Sequence, residues 1–401
     1  MHSAIGSDGE QVQYLDRKRY LWLAGLSGPF VLPLAIGVYF WSGHQIWWLL
    51  LPLVYIYFGI PFADGVLGED THNPPEAIVP ALSRDGYYRA LLYIDVVLLY
   101  LSFGFSVWFV GTQALPWWAF LVVALSAGLS SVDALTIGHE LGHKPDRFGR
   151  MFAEAALTLV AYGHFRIEHN RGHHAEVATP EDSASARMGE SVYRFALREL
   201  PGAITRGWAL ERERLARRER GAWSLSNEIL RSWLLSAAIA AAITIAFGPK
   251  LLLFLLIHHL QAWYGLTQAN YVEHYGLLRQ KLASGAYEPT APRHSWNTNH
   301  IFSNLIMFHL QRHSDHHAHA LRPYQALRDS ADLPRLPNGY PGCFGLAAIP
   351  RLWFEVMDPK LLEWAGGDLD KINIDPKHRD AIYARYAPQR SIAPVASGAN
   401  S

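Results

Sequence analysis

Six long apolar stretches, residues 20–41, 46–63, 91–110, 117–137, 229–247 and 251–272, constrain this chain more than any other feature. Each runs about 18–22 residues, enough to cross a hydrocarbon core of roughly 30 Å at about 1.5 Å per residue. Buried core helices of a large soluble enzyme could also be apolar, but not in six such runs with Trp at many of their ends. Half of the residues are hydrophobic and only 17% are charged. The reading is an all-α integral membrane protein with six transmembrane helices.

Loop charge orients it. With the N-terminus cytoplasmic, the outer loops 42–45, 111–115 and 248–250 carry one basic residue, Lys250. The inner segments carry Arg17, Lys18, Arg19, Arg84, Arg89 and a long basic stretch from Lys144 to Arg220. This asymmetry obeys the positive-inside rule and places both termini in the cytoplasm. The expected organisation is a tail with helices one to four (1–137), a cytoplasmic insertion (138–228), helices five and six (229–272) and a cytoplasmic C-terminal region (273–401). The apolar piece 151–165 is too short to span and reads as a buried or interfacial helix. The first apolar run lacks a small-residue cleavage site and reads as a retained span. The last dozen residues, rich in Ala, Ser, Pro and Asn, are expected to lack order.

Zero net charge and the lack of a basic recognition motif give no indication of nucleic-acid binding. Cys343 is the single cysteine, so no disulfide frame or cysteine-ligated iron–sulfur site is expected. No glycine-rich dinucleotide fingerprint points to a flavin or nicotinamide, and no haem is expected.

The chemistry lies in four histidine clusters. They are His139-Glu-Leu-Gly-His143, Glu168-His-Asn-Arg-Gly-His-His174, Asn270-Tyr-Val-Glu-His-Tyr-Gly276 and His313-Ser-Asp-His-His317. Neutral imidazole binds iron, zinc, copper and nickel, and one ion takes about four to six ligands. Nine histidines therefore point to two metals.

His139 and His143 share a helix face, and His169 and His173 repeat their spacing. His174, about 100° further round a regular helix, can face a different ion. His313, His316 and His317 add i, i+3 and i+4 spacings. Which histidine serves which ion stays open. His274 stands alone, and a lone histidine there is more often structural. His258 and His259 lie inside the sixth stretch, where interhelical hydrogen bonding suffices to explain them. Glu140, Asp182, Glu273, Asp315 and Asn270 are expected to brace the imidazoles, with a carboxylate bridge between the ions left open.

His139-Glu140-x-x-His143 also matches a zinc-protease helix, which would leave most of the other histidines unexplained. A non-catalytic metal-binding transporter would hold exchangeable metal and consume no O2.

These motifs resemble the membrane-bound alkane 1-monooxygenases, of the wider membrane di-iron desaturase and hydroxylase group. The wider group shares three histidine boxes, matched by the first, second and fourth clusters. The likeness extends from Tyr20-Leu-Trp22 through Gly68-Glu-Asp70 and Asn73-Pro-Pro75 to Asp358-Pro-Lys360. Asn270 to Gly276 and Leu310-Gln-Arg-His-Ser-Asp-His-His-Ala318 are the most specific phrases, and they make His274 a ninth ligand. The resemblance implies two non-haem irons in a cytoplasmic helical domain of a bacterial inner-membrane enzyme. It implies conversion of medium-chain n-alkanes and O2 to 1-alkanols, with electrons from rubredoxin and an NAD(P)H-rubredoxin reductase. The competing reading in this chemistry is a fatty-acyl desaturase or hydroxylase, whose substrate head needs polar cytoplasmic contacts.

Two further expectations concern traffic. An acidic donor would meet a basic face, for which Arg212, Arg214, Arg217, Arg218 and Arg220 are candidates, although such a run is also what a solvated or headgroup-facing helix carries. An alkane would lie in a tunnel between spans. Tyr57, about 9 Å along the helix from Ala63, would set the longest chain accepted; the alternative is that it packs against a neighbouring span.

Overall fold

A computed structural model describes residues 1–387, so the Ala-, Ser-, Pro- and Asn-rich end lies outside the described residues. Among the described residues the chain is mostly helical, and its one small sheet is an N-terminal hairpin, β1 (His2–Ile5) and β2 (Gln11–Tyr14), paired antiparallel. Five helices are long and apolar enough to cross a bilayer: α1 (Leu21–Trp41), α2 (Ile46–Leu67), α3 (Gly86–Thr112), α4 (Trp117–Gly142) and, after α5 (Arg147–Leu159), α6 (165–176) and α7 (Val192–Ala216), α8 (Glu228–Phe247). The sixth expected span is α9 (Lys250–His274). It has the length, but His258, His259, Gln261, Gln268, Asn270 and Glu273 dilute its apolar content below that of the other five. Large side chains such as Phe58, Phe62, Leu101 and Ile245 project from the outer faces of their helices. Helices bathed in lipid carry such faces; a water-soluble surface rarely does. This is a membrane protein.

Local chemistry starts these helices where they start. Asp85 accepts the Tyr87 amide at the head of α3 (2.9 Å), and Asn227 accepts the Ile229 and Leu230 amides at the head of α8 (2.9 and 3.1 Å). The short apolar piece after α4 forms the amphipathic α5, with Ala153, Ala156 and Leu157 buried and Phe148 and Met151 exposed.

The central contact is between α4 and α9. A Cβ on Gly128 would stand 2.5 Å from the His258 carbonyl, and one on Gly265 would stand 2.4 Å from Val132 Cγ2. Only glycine permits that approach, the small-residue packing of membrane helices. His258 ties α9 across to Ser131 (2.9 Å), at a break in α4 between Ser130 and Val132. Both helices thus deliver their C-terminal turns, carrying His139, His143 and His274, to the same end of the bundle. There α6, α7, α10 (Ile301–Ile306) and α11 (His313–Ala318) close around them, with α12 (Tyr340–Ala347) and α13 (Pro350–Trp364) outside.

Candidate metal centre

The nine clustered histidines form two adjoining groups. His139, His143, His169, His174 and His316 make one; His173, His274, His313 and His317 make the other. Within each group the converging nitrogens all lie within 4.8 Å of one another. The groups abut through His174 and His317, whose rings are 4.6 Å apart.

The division differs from the spacing argument at one point. His169 and His173 do not share a group. Residues 169–173 form a π-helical turn, in which the His174 amide bonds back to the His169 carbonyl. Five residues per hydrogen-bonded step bring i and i+5 onto one face, where a regular helix brings i and i+4. His169 and His174 therefore meet, with Nε2 atoms 3.0 Å apart, while His173 turns to the second group. In α11, a short regular helix, His313 and His317 keep the expected pairing at 3.0 Å, and His316 faces the first group, 3.2 Å from His174.

These nitrogens fit metal ions. The Nε2 atoms of His139, His143, His173 and His274 are buried and have no hydrogen-bond partner. Leaving buried polar atoms unsatisfied costs about 1–3 kcal/mol each, so such a cluster needs an explanation. Two ligand nitrogens at about 2.1 Å from one ion and at right angles stand about 3 Å apart, which is the separation found here. Burial and neighbouring imidazoles hold His169, His313, His316 and His317 well below the ordinary histidine range, and burial brings His174 down to about 3. They are neutral, the form that coordinates.

His173 is the exception. Burial lowers it, but the Asp182 carboxylate 2.9 Å from its Nδ1 outweighs that and raises it. Burial raises Asp182, yet His173, Arg206 and the Ser185 hydroxyl hold it below the carboxylate range. Asp182 thus fixes Nδ1–H and leaves Nε2 as the ligand atom. His274 donates Nδ1–H to the His294 carbonyl at 3.3 Å, with the same result. Glu273 Oε2 lies 3.3 Å from His313 Nε2, and its other oxygen is buried without a partner.

Three expected braces make no hydrogen bond or ion pair to an imidazole among the described residues. Glu140 forms an ion pair with Lys144 (2.8 Å) and accepts from the Tyr324 amide (3.3 Å). Asp315 holds Arg322 and the Arg328 amide, and Asn270 donates to Glu199 at 3.3 Å. They secure the loops that carry the ligands. The engagement of Glu140 also removes the free general base that a zinc-protease reading requires.

The sequence reading missed Arg206 and Glu199. Arg206 donates to Glu168 (2.9 Å), Glu176 (2.6 Å) and Asp182 (2.7 Å), so one guanidinium ties the π turn to the His173 brace. The signal for Glu199 was present: the buried stripe of α7 is Val192, Phe195, Glu199, Ala203, Gly207, Glu211 and Leu215, with two carboxylates in an otherwise apolar line. Arg206 lies beside that stripe, with no pattern to distinguish it from a solvated arginine.

Two narrow apolar cavities lead to the histidines. One of about 60 Å3 is walled by Val31, Tyr55, Ile56, Val132, Met307 and Phe344, among others. A smaller one of about 20 Å3 continues past Leu135 and Leu310 to His139, His169 and His313. They share Val132, Gly265 and Met307, and neither is lined by Lys or Arg. Tyr57 lines neither. Residues 55–59 are again a π turn, and the depth argument for Tyr57 carried no information on which way the turn faces.

Among the candidate docking arginines, Arg214 is withdrawn from the surface by a two-pronged bond to the buried Glu211 (2.6 Å each). Arg217 pairs with Glu213 at 2.6 Å and Arg220 bonds Ser226, while Arg212 and Arg218 have no ion-pair partner among the described residues.

Residues 115–345 match the family model described as fatty acid desaturase. The chain is 50% identical over 374 residues to the alkane 1-monooxygenase of Ectopseudomonas oleovorans, covering 93% of each chain. It is 49% identical to alkane 1-monooxygenase 1 of Alcanivorax borkumensis, over 97% of this chain and 96% of that one. It is 48% identical to the alkane 1-monooxygenase of Pseudomonas putida, over 93% and 92%. The chain belongs to the fatty acid desaturase family and, within it, to the alkane 1-monooxygenases.

Proposed function

We propose that this enzyme hydroxylates the terminal methyl of medium-chain n-alkanes at two non-haem irons held by the nine histidines. An alkane, O2, two electrons and two protons become a 1-alkanol and water. Bound iron would supply the activation of O2 that an unactivated C–H bond demands.

The chain's own residues do the rest. The cavities exclude water and hold the alkyl chain, so that only its end reaches His139, His169 and His313. Asp182 and the His294 carbonyl keep His173 and His274 in the ligating tautomer. The observation that carries the reading is an apolar cavity, with no Lys or Arg in its lining, that ends on His139, His169 and His313 of the nine-histidine cluster. It favours a bare hydrocarbon over an acyl thioester, whose polar head would need cationic partners.

No cysteine cluster or dinucleotide motif occurs in the chain, so both electrons are imported, and the resemblance of its motifs to the alkane 1-monooxygenases supplies the donor, rubredoxin fed by an NAD(P)H-dependent reductase. All six apolar helices, α9 included, span the bacterial inner membrane. The histidine end and both termini face the cytoplasm, with the metal ligands contributed by the insertion (138–228), the end of the sixth span and the C-terminal region (273–401).

The test is iron content together with product analysis, supplying rubredoxin, its reductase and NADH, with octane in one assay and an acyl-CoA in another. Two irons and 1-octanol are expected. Turnover of the acyl-CoA alone would replace this reading with the desaturase one, and bound metal without O2 consumption would replace it with a transporter.

A further inference from the structure

One sizeable cavity lies away from the alkane path. It measures about 410 Å3 and lies between α5, the turn before α6 and the first turn of α8. Four arginines line it: Arg147, Arg150, Arg166 and Arg231. Glu228 is held by Arg166, and Glu154 is held by Arg231 at 2.7 and 2.9 Å. The two acids are thereby committed, and Arg147 and Arg150 have no carboxylate partner among the described residues. Four arginines against two glutamates leave the lining with a net positive charge.

Its position is as informative as its charge. Glu228 begins a membrane-spanning helix, and α5 follows directly on the end of another. The cavity therefore lies at the level of the headgroups. Met151 and Leu157 give it an apolar wall, and Phe148 and Met151 project from α5 beside it. Guanidinium groups above an apolar wall match a phosphate joined to acyl chains.

We infer that this cavity is a binding site for the headgroup of an anionic phospholipid, clamped by Arg147 and Arg150 at the membrane surface. The occupant is a lipid, because the apolar wall and the exposed aromatic side chain would serve no purpose for free phosphate.

The iron-loaded enzyme, stripped of lipid in detergent, is titrated with phosphatidylglycerol, phosphatidylcholine or inorganic phosphate, and bound lipid is counted by native mass spectrometry. Phosphatidylglycerol is expected to bind at least about tenfold more tightly than phosphatidylcholine and to raise Tm by several degrees. The Arg147→Gln/Arg150→Gln variant is expected to lose that preference with its iron content unchanged. The single variants, each losing part of the preference, decide the matter if the double variant loses iron. Equal binding of both lipids, or an undiminished preference in the variants, would overturn the assignment. A full Tm shift from inorganic phosphate alone would make this a soluble-anion site. Slower rubredoxin-driven turnover with the lipid preference intact would hand the arginines to the electron donor.

Discussion

A single hydrogen bond separates His173 from the other eight histidines. Asp182 lowers its own proton affinity and raises that of His173, and the two directions set opposite pH limits. The raised His173 contributes stability below its unfolded value of about 6.5 that is lost as pH rises through its folded value. The depressed Asp182 contributes stability above about 3.9 that is lost in stronger acid. In iron-free protein, unfolding by denaturant should thus show a decline on the alkaline side of about pH 6.5, absent in Asp182→Asn. With iron, Asp182→Asn should lose metal from the His173 group first, read as a drop from two irons toward one. Replacing His173 or His316 with Ala should abolish hydroxylation and lower bound iron; two irons with full activity in either variant would remove that residue from the ligand set.

Glu199 behaves differently. Burial, with Glu168 and Asp182 nearby, pushes it up to about 7. An acid raised in the folded state loses stability as pH climbs from its unfolded value of about 4.3 to about 7, by an order of 3 kcal/mol. Glu199→Gln should flatten that slope in denaturant titrations while iron content holds.

At the scale of elements, the two π turns explain why the histidines were legible and their partners were not. Residue type alone exposed eight of the nine, because clustered imidazoles on an apolar chain have few other uses; His274 stood alone and entered only through the family motif at 270–276. Assigning partners needed the helical pitch, and 169–173 departs from 3.6 residues per turn with nothing in the residues to announce it. At 55–59, a second π turn, Tyr57 was chosen by depth alone, and depth does not say which side chain faces the cavity. Spans were legible wherever a helix meets lipid on most sides. In α9 they were less so, since its last three turns are buried against the ligands and carry polar groups. The glycine seam between α4 and α9 offers a direct check. Gly265→Val inserts side-chain atoms where Val132 already sits, and overpacking of this kind costs about 1–3 kcal/mol. The α4 and α9 ends should move apart, so the variant is expected to lose iron along with Tm. Unchanged iron would show that the ligand ends move independently of the seam.

For the whole molecule, traffic of substrate and electrons sets the predictions. Ile56 lines the apolar cavity and Tyr57 does not. On a ladder of n-alkanes, Ile56→Ala should extend the accepted length, and Tyr57→Ser should leave the profile as it is. If donor docking uses the free arginines, Arg212→Gln/Arg218→Gln should raise KM for rubredoxin at low salt. The difference from wild type should vanish at high ionic strength, where surface charges are screened within a few ångströms.

Because the nine imidazoles come from four segments between residues 139 and 317, iron would work as a fastener as much as a reagent. No segment holds a full set of ligands, and both groups draw on the last histidine cluster, so neither set is complete until that cluster has been synthesised and docked. Cells short of iron would accumulate a chain whose membrane part is inserted but whose cap stays loose and open to proteases. The amount of enzyme in a membrane should then follow iron supply even at constant transcription.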